Sequence, residues 1–302
     1  MKKNDKKATT ELKRKNLTGI NFSEKNLNNS VFLKSNLQKI NLSKANLSFS
    51  FFKKSNLKEG NFIEANLKKS SFLKSNLAET NFTKSILNNS SFKKINFTNA
   101  DFIEANLMNT NFIKVRFSKT NFTNADLSKS VINNKKSFGL NFIGEKSKKI
   151  NFSNTKLFNT KFSYLNLISP IFDGANFNKT NFNKSILKKG IFINTKFIDS
   201  DLQKTNFINS NFSGAKFTKV NLRKSNLKFS IWENSVLENV DLSYTNLSHA
   251  NFTGAKLYNV NLSHANVSKA NLKNAELKSV NLDKANLNKI DFTEVKLFDT
   301  KL

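Results

Sequence analysis

The residues best suited to binding chemistry in this sequence are basic side chains that recur every twenty positions. They are Arg14, Lys34, Lys54, Lys74, Lys94 and Lys114, which we call the basic stripe. A regular row of cations is the kind of surface that binds the phosphates of a nucleic acid or of an anionic membrane. The column beside it alternates between lysine and aliphatic residues: Lys13, Leu33, Lys53, Leu73, Lys93 and Ile113. An anion-binding stripe is predicted if the fold brings residues twenty apart together.

The chain as a whole is strongly basic, with 50 basic and 21 acidic residues and a net charge of +29. Such a balance is typical of proteins that bind nucleic acid, an anionic membrane or an acidic protein. An AT-rich genome is another source, because its codons supply Lys, Asn, Ile and Phe together. The charge is uneven, since residues 241–302 hold eight lysines and six acidic residues. Uniform codon bias does not predict this difference, but separate divergence of duplicated repeats does. Binding to a polyanion and codon composition therefore both stay open as sources of the positive charge.

Patterns for catalysis or metal binding are missing from the sequence. It has no cysteine, and its two histidines, His249 and His264, lack partners at metal-ligand spacing. Serines and threonines are plentiful, but no base or strained elbow accompanies them. We therefore expect a non-catalytic protein without a cofactor, in which the two histidines are exposed turn residues.

The elements that position these residues follow from a period of five. Every fifth position from Leu12 to Leu302 is apolar except Ser137 and Ser147. Neither a helix nor a strand turns all of these side chains to one side. A chain that turns a corner every five residues does so, because the middle of each short side then points at a shared axis. The pattern predicts a solenoid whose core is built from these central residues.

A second period, of twenty residues, sets the number of sides. One column is phenylalanine at every turn from Phe32 to Phe112, and another, ten residues away, from Phe62 to Phe122. The column from Leu27 to Leu127 is leucine throughout. A coil of three sides would mix these columns, so four sides of five residues are predicted. The residue two before each centre is small and the residue just before it is usually asparagine, which we expect to hydrogen-bond from turn to turn.

The motif around each centre is similar to that of a known family. Ala65-Asn66-Leu67, Ala105-Asn106-Leu107, Ala125-Asp126-Leu127 and Ala285-Asn286-Leu287 resemble the A(D/N)LXX motif of pentapeptide-repeat proteins. The resemblance covers residues 12–302 and implies an all-β fold, a right-handed quadrilateral β-helix, here of about fifteen four-sided coils. Residues 1–11 are expected to form a basic N-terminal cap or a frayed segment.

The repeat is interrupted at residues 133–151. Ile132 and Phe152 stand twenty apart and so are expected on one wall, with either a degenerate coil or an extruded loop between them. The quinolone-resistance branch of the resembled family carries functional loops, which makes this segment a candidate interaction loop; a neutral insertion is the alternative. Its candidate residues are Lys135, Lys136, Phe138, Lys148 and Lys149.

The C-terminal coil is a second candidate contact surface. Members of the resembled family often pair through their C-terminal ends, and here the core positions run into the last residue. A homodimer is therefore expected through residues 283–302, with Leu287, Phe292, Leu297 and Leu302 at the dimer end.

Three functions follow from these features. We expect a rigid rod that binds a macromolecular partner, in the simplest case a protein, through a wall or through residues 133–149. The first alternative is binding of nucleic acid or an anionic surface through the basic stripe. The second is protection of a topoisomerase, as in the quinolone-resistance branch, whose rod imitates DNA by being acidic; the net charge of +29 disfavours it. No transmembrane or signal-type apolar segment occurs, so a cytoplasmic location is expected, with export lacking a cleavable signal left open.

Overall fold

The computed structural model describes residues 10–133, 150–162 and 165–300. The described secondary structure is all β, and it divides into unit 1, Met1–Val131, and unit 2, Ile132–Leu302. Each strand is three residues long and pairs in parallel with a strand twenty residues away, as Phe52 does with Phe72. A partner spacing of twenty means that each turn of the solenoid has four sides of five residues, which confirms the predicted quadrilateral β-helix.

The strands of the first parallel sheet follow one another in chain order, and unit 1 ends at Val131, the first residue of its last strand. The strands are β1 (Glu11–Lys13), β2 (Val31–Leu33), β3 (Phe51–Lys53), β4 (Ser71–Leu73), β5 (Ser91–Lys93), β6 (Asn111–Ile113) and β7 (Val131–Asn133). The other three walls of each turn pair through single bridges, such as Asn36 with Asn56 and Asn46 with Asn66.

Unit 2 carries a second parallel sheet of the same kind. Its strands are β8 (Asn176–Asn178), β9 (Lys196–Ile198), β10 (Lys216–Thr218), β11 (Val236–Glu238), β12 (Lys256–Tyr258), β13 (Glu276–Lys278) and β14 (Lys296–Phe298). Among the described strands, β14 pairs only with β13 and is therefore an edge.

Among the described residues, one step of the backbone ladder is longer than the others. A central residue normally donates its N–H to the carbonyl nineteen residues later, as Phe152 does to Ile171 at 2.6 Å. Ile132 instead donates to Lys161 at 3.1 Å. The expectation that Ile132 and Phe152 share a wall is therefore wrong, because this step takes ten extra residues. The described residues form about 13 turns, so the predicted number of coils was slightly too high.

The core consists of the central residues, as the period of five predicts. Phe72, Leu77, Phe82 and Leu87, one from each wall of a turn, have no exposed surface. Rings of one column stack along the axis, with Phe52 and Phe72 centred 4.6 Å apart and almost parallel at 2°. Rings of different walls meet edge to face, as Phe52 and Phe62 do at 81°. These are the two arrangements that aromatic pairs favour.

The residue before each centre explains the abundance of asparagine. Asn56 Nδ2 donates to Asn36 Oδ1 at 3.3 Å, and Asn76 Nδ2 donates to Asn56 Oδ1 at the same distance. The Oδ1 of Asn56 also accepts the N–H of Lys58, two residues later, which closes an Asx turn at the corner. The predicted asparagine ladder is confirmed along this column.

The corner positions explain which residues surround each centre. The small residue two before the centre is buried. Where it is a serine, its hydroxyl can donate a hydrogen bond to a backbone carbonyl, as Ser55 Oγ does to the Phe32 carbonyl oxygen at 3.2 Å. The residue two after the centre has positive φ, a conformation that β-branched side chains rarely adopt. Within the described ranges no Val, Ile or Thr occurs there. In one column of unit 2 glycine alternates with asparagine, and a Cβ on Gly214 would collide with Asn194 Oδ1.

Candidate functional site

The basic stripe lies in one straight column of unit 1, on the wall that carries β1–β7. Five of the six residues have φ between 53° and 55°, and Lys94 has a φ of 57°. From Arg14 to Lys94, each backbone N–H donates to a carbonyl in the next turn, as Lys54 does to Leu73 at 2.9 Å. The column is therefore fixed by the sheet ladder, and its side chains repeat at about 4.8 Å over about 24 Å.

The stripe points to solvent and keeps its charge uncompensated. Arg14, Lys34, Lys54, Lys74 and Lys94 are exposed, and Lys114 is half-buried. None of the ion pairs found among residues 10–133 includes a stripe residue. The predicted stripe is therefore a continuous cationic surface in the structure.

The neighbouring column has the alternation that the sequence predicted. The strand pairing sets Leu33 beside Lys53, and Lys53 beside Leu73. The aliphatic members are half-buried, whereas Lys13 and Lys93 are exposed. The wall thus presents the continuous row of cations beside a second column in which half-buried aliphatic groups alternate with further lysines.

The opposite wall of unit 1 differs from the stripe in the charges that it carries. At the same position of the repeat it carries Glu24, Lys44, Glu64, Lys84 and Glu104, so the sign alternates from turn to turn. All five residues share the positive φ, and Lys84 Nζ lies 3.8 Å from Glu104. The backbone therefore disfavours a β-branched side chain at this position but does not require a positively charged one.

A third wall also compensates its charge. Glu59 lies 3.6 Å from Lys39 and 3.4 Å from Lys58, which in turn lies 3.4 Å from Glu79. The pKa of Lys58 is raised because its ammonium group bonds to Glu59 and lies near Glu79. Partial desolvation opposes ionisation of Glu59, but Gln38 and the two lysines outweigh it and lower the pKa of that carboxyl. Ion pairs therefore occur on these two walls, and none of those found in the described part of unit 1 includes a stripe residue.

Comparison with known proteins identifies the repeat. A family model described as a pentapeptide repeat region matches residues 9–82, 65–142, 171–247 and 230–302. A second model, of pentapeptide repeats in eight copies, matches residues 150–188. The chain belongs to the pentapeptide repeat family. No curated protein matches it.

Several solved structures of pentapeptide repeat proteins are similar to the chain. HetL, involved in heterocyst differentiation regulation in the cyanobacterium Nostoc sp. strain PCC 7120, is 18% identical over 95% of this chain and 91% of its own, with a TM-score of 0.18. A trypsin-treated form of QnrB1, a plasmid-mediated fluoroquinolone resistance protein, is 16% identical over 97% and 90%, with a TM-score of 0.25. Rfr23 from the cyanobacterium Cyanothece 51142 is 27% identical over 38% and 62%, with a TM-score of 0.19. Likenesses this distant carry no inference about function.

The other predicted surfaces of this pentapeptide repeat chain are described only in part. The candidate loop residues Lys135, Lys136, Phe138, Lys148 and Lys149 lie outside the described residues, as do residues 1–9. Regular pairing has resumed by Asn151, which bridges to Ile171. At the dimer end, Leu287 and Phe292 are half-buried and Leu297 is 41% exposed; Leu302 lies outside the described residues. Dimerisation through this end stays a prediction.

A surface cluster of rings in unit 2 was not predicted from the sequence. The rings of Phe229 and His249 are centred 4.8 Å apart and tilted by 31°, and Tyr244 stacks on His264 with the ring centres 4.6 Å apart. Each pair is twenty residues apart and exposed, on two adjacent walls of the pentapeptide repeat. Applying the period of twenty to outward positions as well as to the core would have found both pairs.

Over residues 10–133, 150–162 and 165–300 no group of three or more His, Cys, Asp or Glu side chains could hold a metal ion. The same residues include no helix long and apolar enough to cross a bilayer.

Proposed function

We propose that this pentapeptide repeat protein is an interaction protein that binds the phosphate backbone of nucleic acid along the basic stripe of unit 1. One observation carries the proposal: six cations occupy one column, while the opposite wall alternates in sign at the same position of the repeat. Codon bias and the requirement for positive φ act on both walls alike. Neither accounts for a column of uniform sign on one of them.

Electrostatic energy supports a polyanionic partner. Two like charges about 5 Å apart in water repel by about 1 kcal/mol before salt screens them. Each inner stripe residue has such a neighbour in the turn before and in the turn after. A phosphate chain laid along the stripe relieves this repulsion and releases counterions, which favours binding at low salt.

Nucleic acid fits this wall better than a membrane surface does. Proteins that lie on a membrane insert apolar side chains between the lipids. On the stripe wall Val31, Leu33 and Phe51 are half-buried, and none of the large exposed apolar side chains in the described part of unit 1 lies there. The contact is therefore expected to be electrostatic and to follow a line, as a phosphate backbone does.

The test measures binding of a fluorescently labelled DNA duplex to the full chain by anisotropy at several salt concentrations. In a plot of the logarithm of the binding constant against the logarithm of the salt concentration, each phosphate neutralised in a duplex contributes about −0.9 to the slope. The six stripe residues therefore allow a slope no steeper than about −5. The triple variant Lys54→Gln, Lys74→Gln, Lys94→Gln is expected to bind more weakly, with a slope shallower by up to about 3.

The matched control is Lys39→Gln, Lys44→Gln, Lys84→Gln. It removes the same charge from unit 1, and its three positions share the positive φ of the stripe. Equal weakening by the two triple variants would attribute binding to net charge alone and refute the proposal. So would loss of binding to anionic lipid vesicles in the stripe variant while its binding to DNA is unchanged.

A further inference from the structure

The rings on the surface of unit 2 form a site of a different kind from the basic stripe. Phe229 is 44% exposed and Tyr244 is 45% exposed. Both occupy the positive-φ position, which in the described residues is mostly filled by lysine and asparagine. A bulky ring is strained there and gains nothing from core burial. Binding of a ligand would account for the exposure of these two rings.

Cations surround the two ring pairs. The guanidinium carbon of Arg223 lies 4.8 Å from the centre of the Tyr244 ring, and Lys224 Nζ lies 5.8 Å from it. Lys228 Nζ lies 4.8 Å from the centre of the Phe229 ring. Further along the two columns His249 is followed by Lys269, and His264 by Lys284. Each stack of rings therefore lies between basic side chains.

Two of the three acidic residues on the same two walls accept hydrogen bonds that close turns. Asp201 accepts the N–H of Gln203 at 3.1 Å, and Asp241 accepts the N–H of Ser243 at 2.9 Å. Asp283, on the turn beyond His264, is the third acidic residue of these walls. None of the ion pairs found in the described part of unit 2 involves Arg223, Lys224 or Lys228. The face thus combines exposed rings with uncompensated positive charge.

We propose that this face binds single-stranded nucleic acid, with unpaired bases stacking on the rings and phosphates contacting the flanking cations. Single-strand binding sites combine aromatic stacking surfaces with a basic track in this way. The regular spacing of the turns aligns the second stack, since the rings of Tyr244 and His264 are nearly parallel at 10°. A base that takes the place of the Arg223 guanidinium over the Tyr244 ring continues this stack. A duplex keeps its bases paired and offers the rings no free base face.

The inference goes beyond the proposed function, because it names a second site on another unit and a preference for unpaired bases. The probes are a labelled single-stranded oligonucleotide, the duplex of the same sequence, and heparin as a polyanion without bases. The variant is Phe229→Asn, Tyr244→Asn, since asparagine already occupies this positive-φ position at Asn209 and Asn259. The control is Phe49→Asn, which removes an exposed ring at the equivalent position of unit 1, where φ is 60°.

The double variant is expected to lose at least tenfold in affinity for the single strand, because stacking of each base on an aromatic ring is a large part of such binding. Its affinity for duplex and heparin, and that of the Phe49→Asn control for the single strand, should change less than twofold. Equal losses for all three probes, or wild-type binding of the single strand, would overturn the inference. So would loss of single-strand binding in the Lys54, Lys74 and Lys94 variant alone, which would place all binding on the stripe. That last result would leave the proposed function intact.

Discussion

Removal of one stacked ring from the core tests the packing on which both candidate surfaces depend. Phe72 has no exposed surface, and its ring centre lies 4.6 Å from that of Phe52 and 4.9 Å from that of Phe92. Phe72→Ala is expected to cost about 3–5 kcal/mol, because a buried ring is lost and a cavity remains. Phe72→Leu keeps most of the volume but loses both stacking contacts, so a cost of about 1–2 kcal/mol is expected.

The assay is hydrogen exchange by mass spectrometry across a series of urea concentrations. Turns of a solenoid contact only their neighbours, so the loss of protection should concentrate in residues 50–95. Phe49→Ala is the control, since that ring is 52% exposed and its removal should change stability by no more than about 0.5 kcal/mol. Unchanged exchange in Phe72→Ala, or an effect as large in the control, would refute the packing argument.

Two more predictions concern ionisation and assembly. The pKa of Asp101 is raised because burial disfavours its charged form, although Asn121 opposes this by hydrogen bonding. Its folded-state pKa therefore lies above its unfolded-state value, and the stability that the protonated form contributes is lost as pH rises through that window. Asp101→Asn should raise the melting temperature at pH 7 and leave it unchanged at a pH below the unfolded-state pKa of Asp101. An equal change in melting temperature at the two pH values would show that burial of the charged carboxylate is not the cause. Leu297→Lys should convert a dimer of the 302-residue chain to a monomer in light scattering at micromolar concentration; a wild-type monomer would contradict the predicted dimer.

Most of the fold could be predicted because each side of the turn repeats one chemical pattern. A central apolar residue, a small residue two before it and an asparagine just before it each satisfy a local need, which is burial, close approach or an Asx turn. The stripe followed from the same period, since residues twenty apart occupy the same place in successive turns.

The step from Ile132 to Lys161 could not be predicted for a physical reason. All four walls take the same five-residue pattern, so a shift by ten residues leaves every central residue pointing inward. The period of five is the same for a step of twenty residues as for one of thirty. Only the backbone hydrogen bonds of the folded chain distinguish the two.

The column of Glu24, Lys44, Glu64, Lys84 and Glu104 has a consequence for how the chain can change in length. Loss of a single turn inside it would restore the backbone ladder but set two like charges side by side. Loss of two consecutive turns would leave every remaining residue with a neighbour of opposite charge. The alternation of Asn194 and Gly214 in unit 2 repeats over the same forty residues. A duplication or deletion that preserves these two columns therefore has to span a pair of turns.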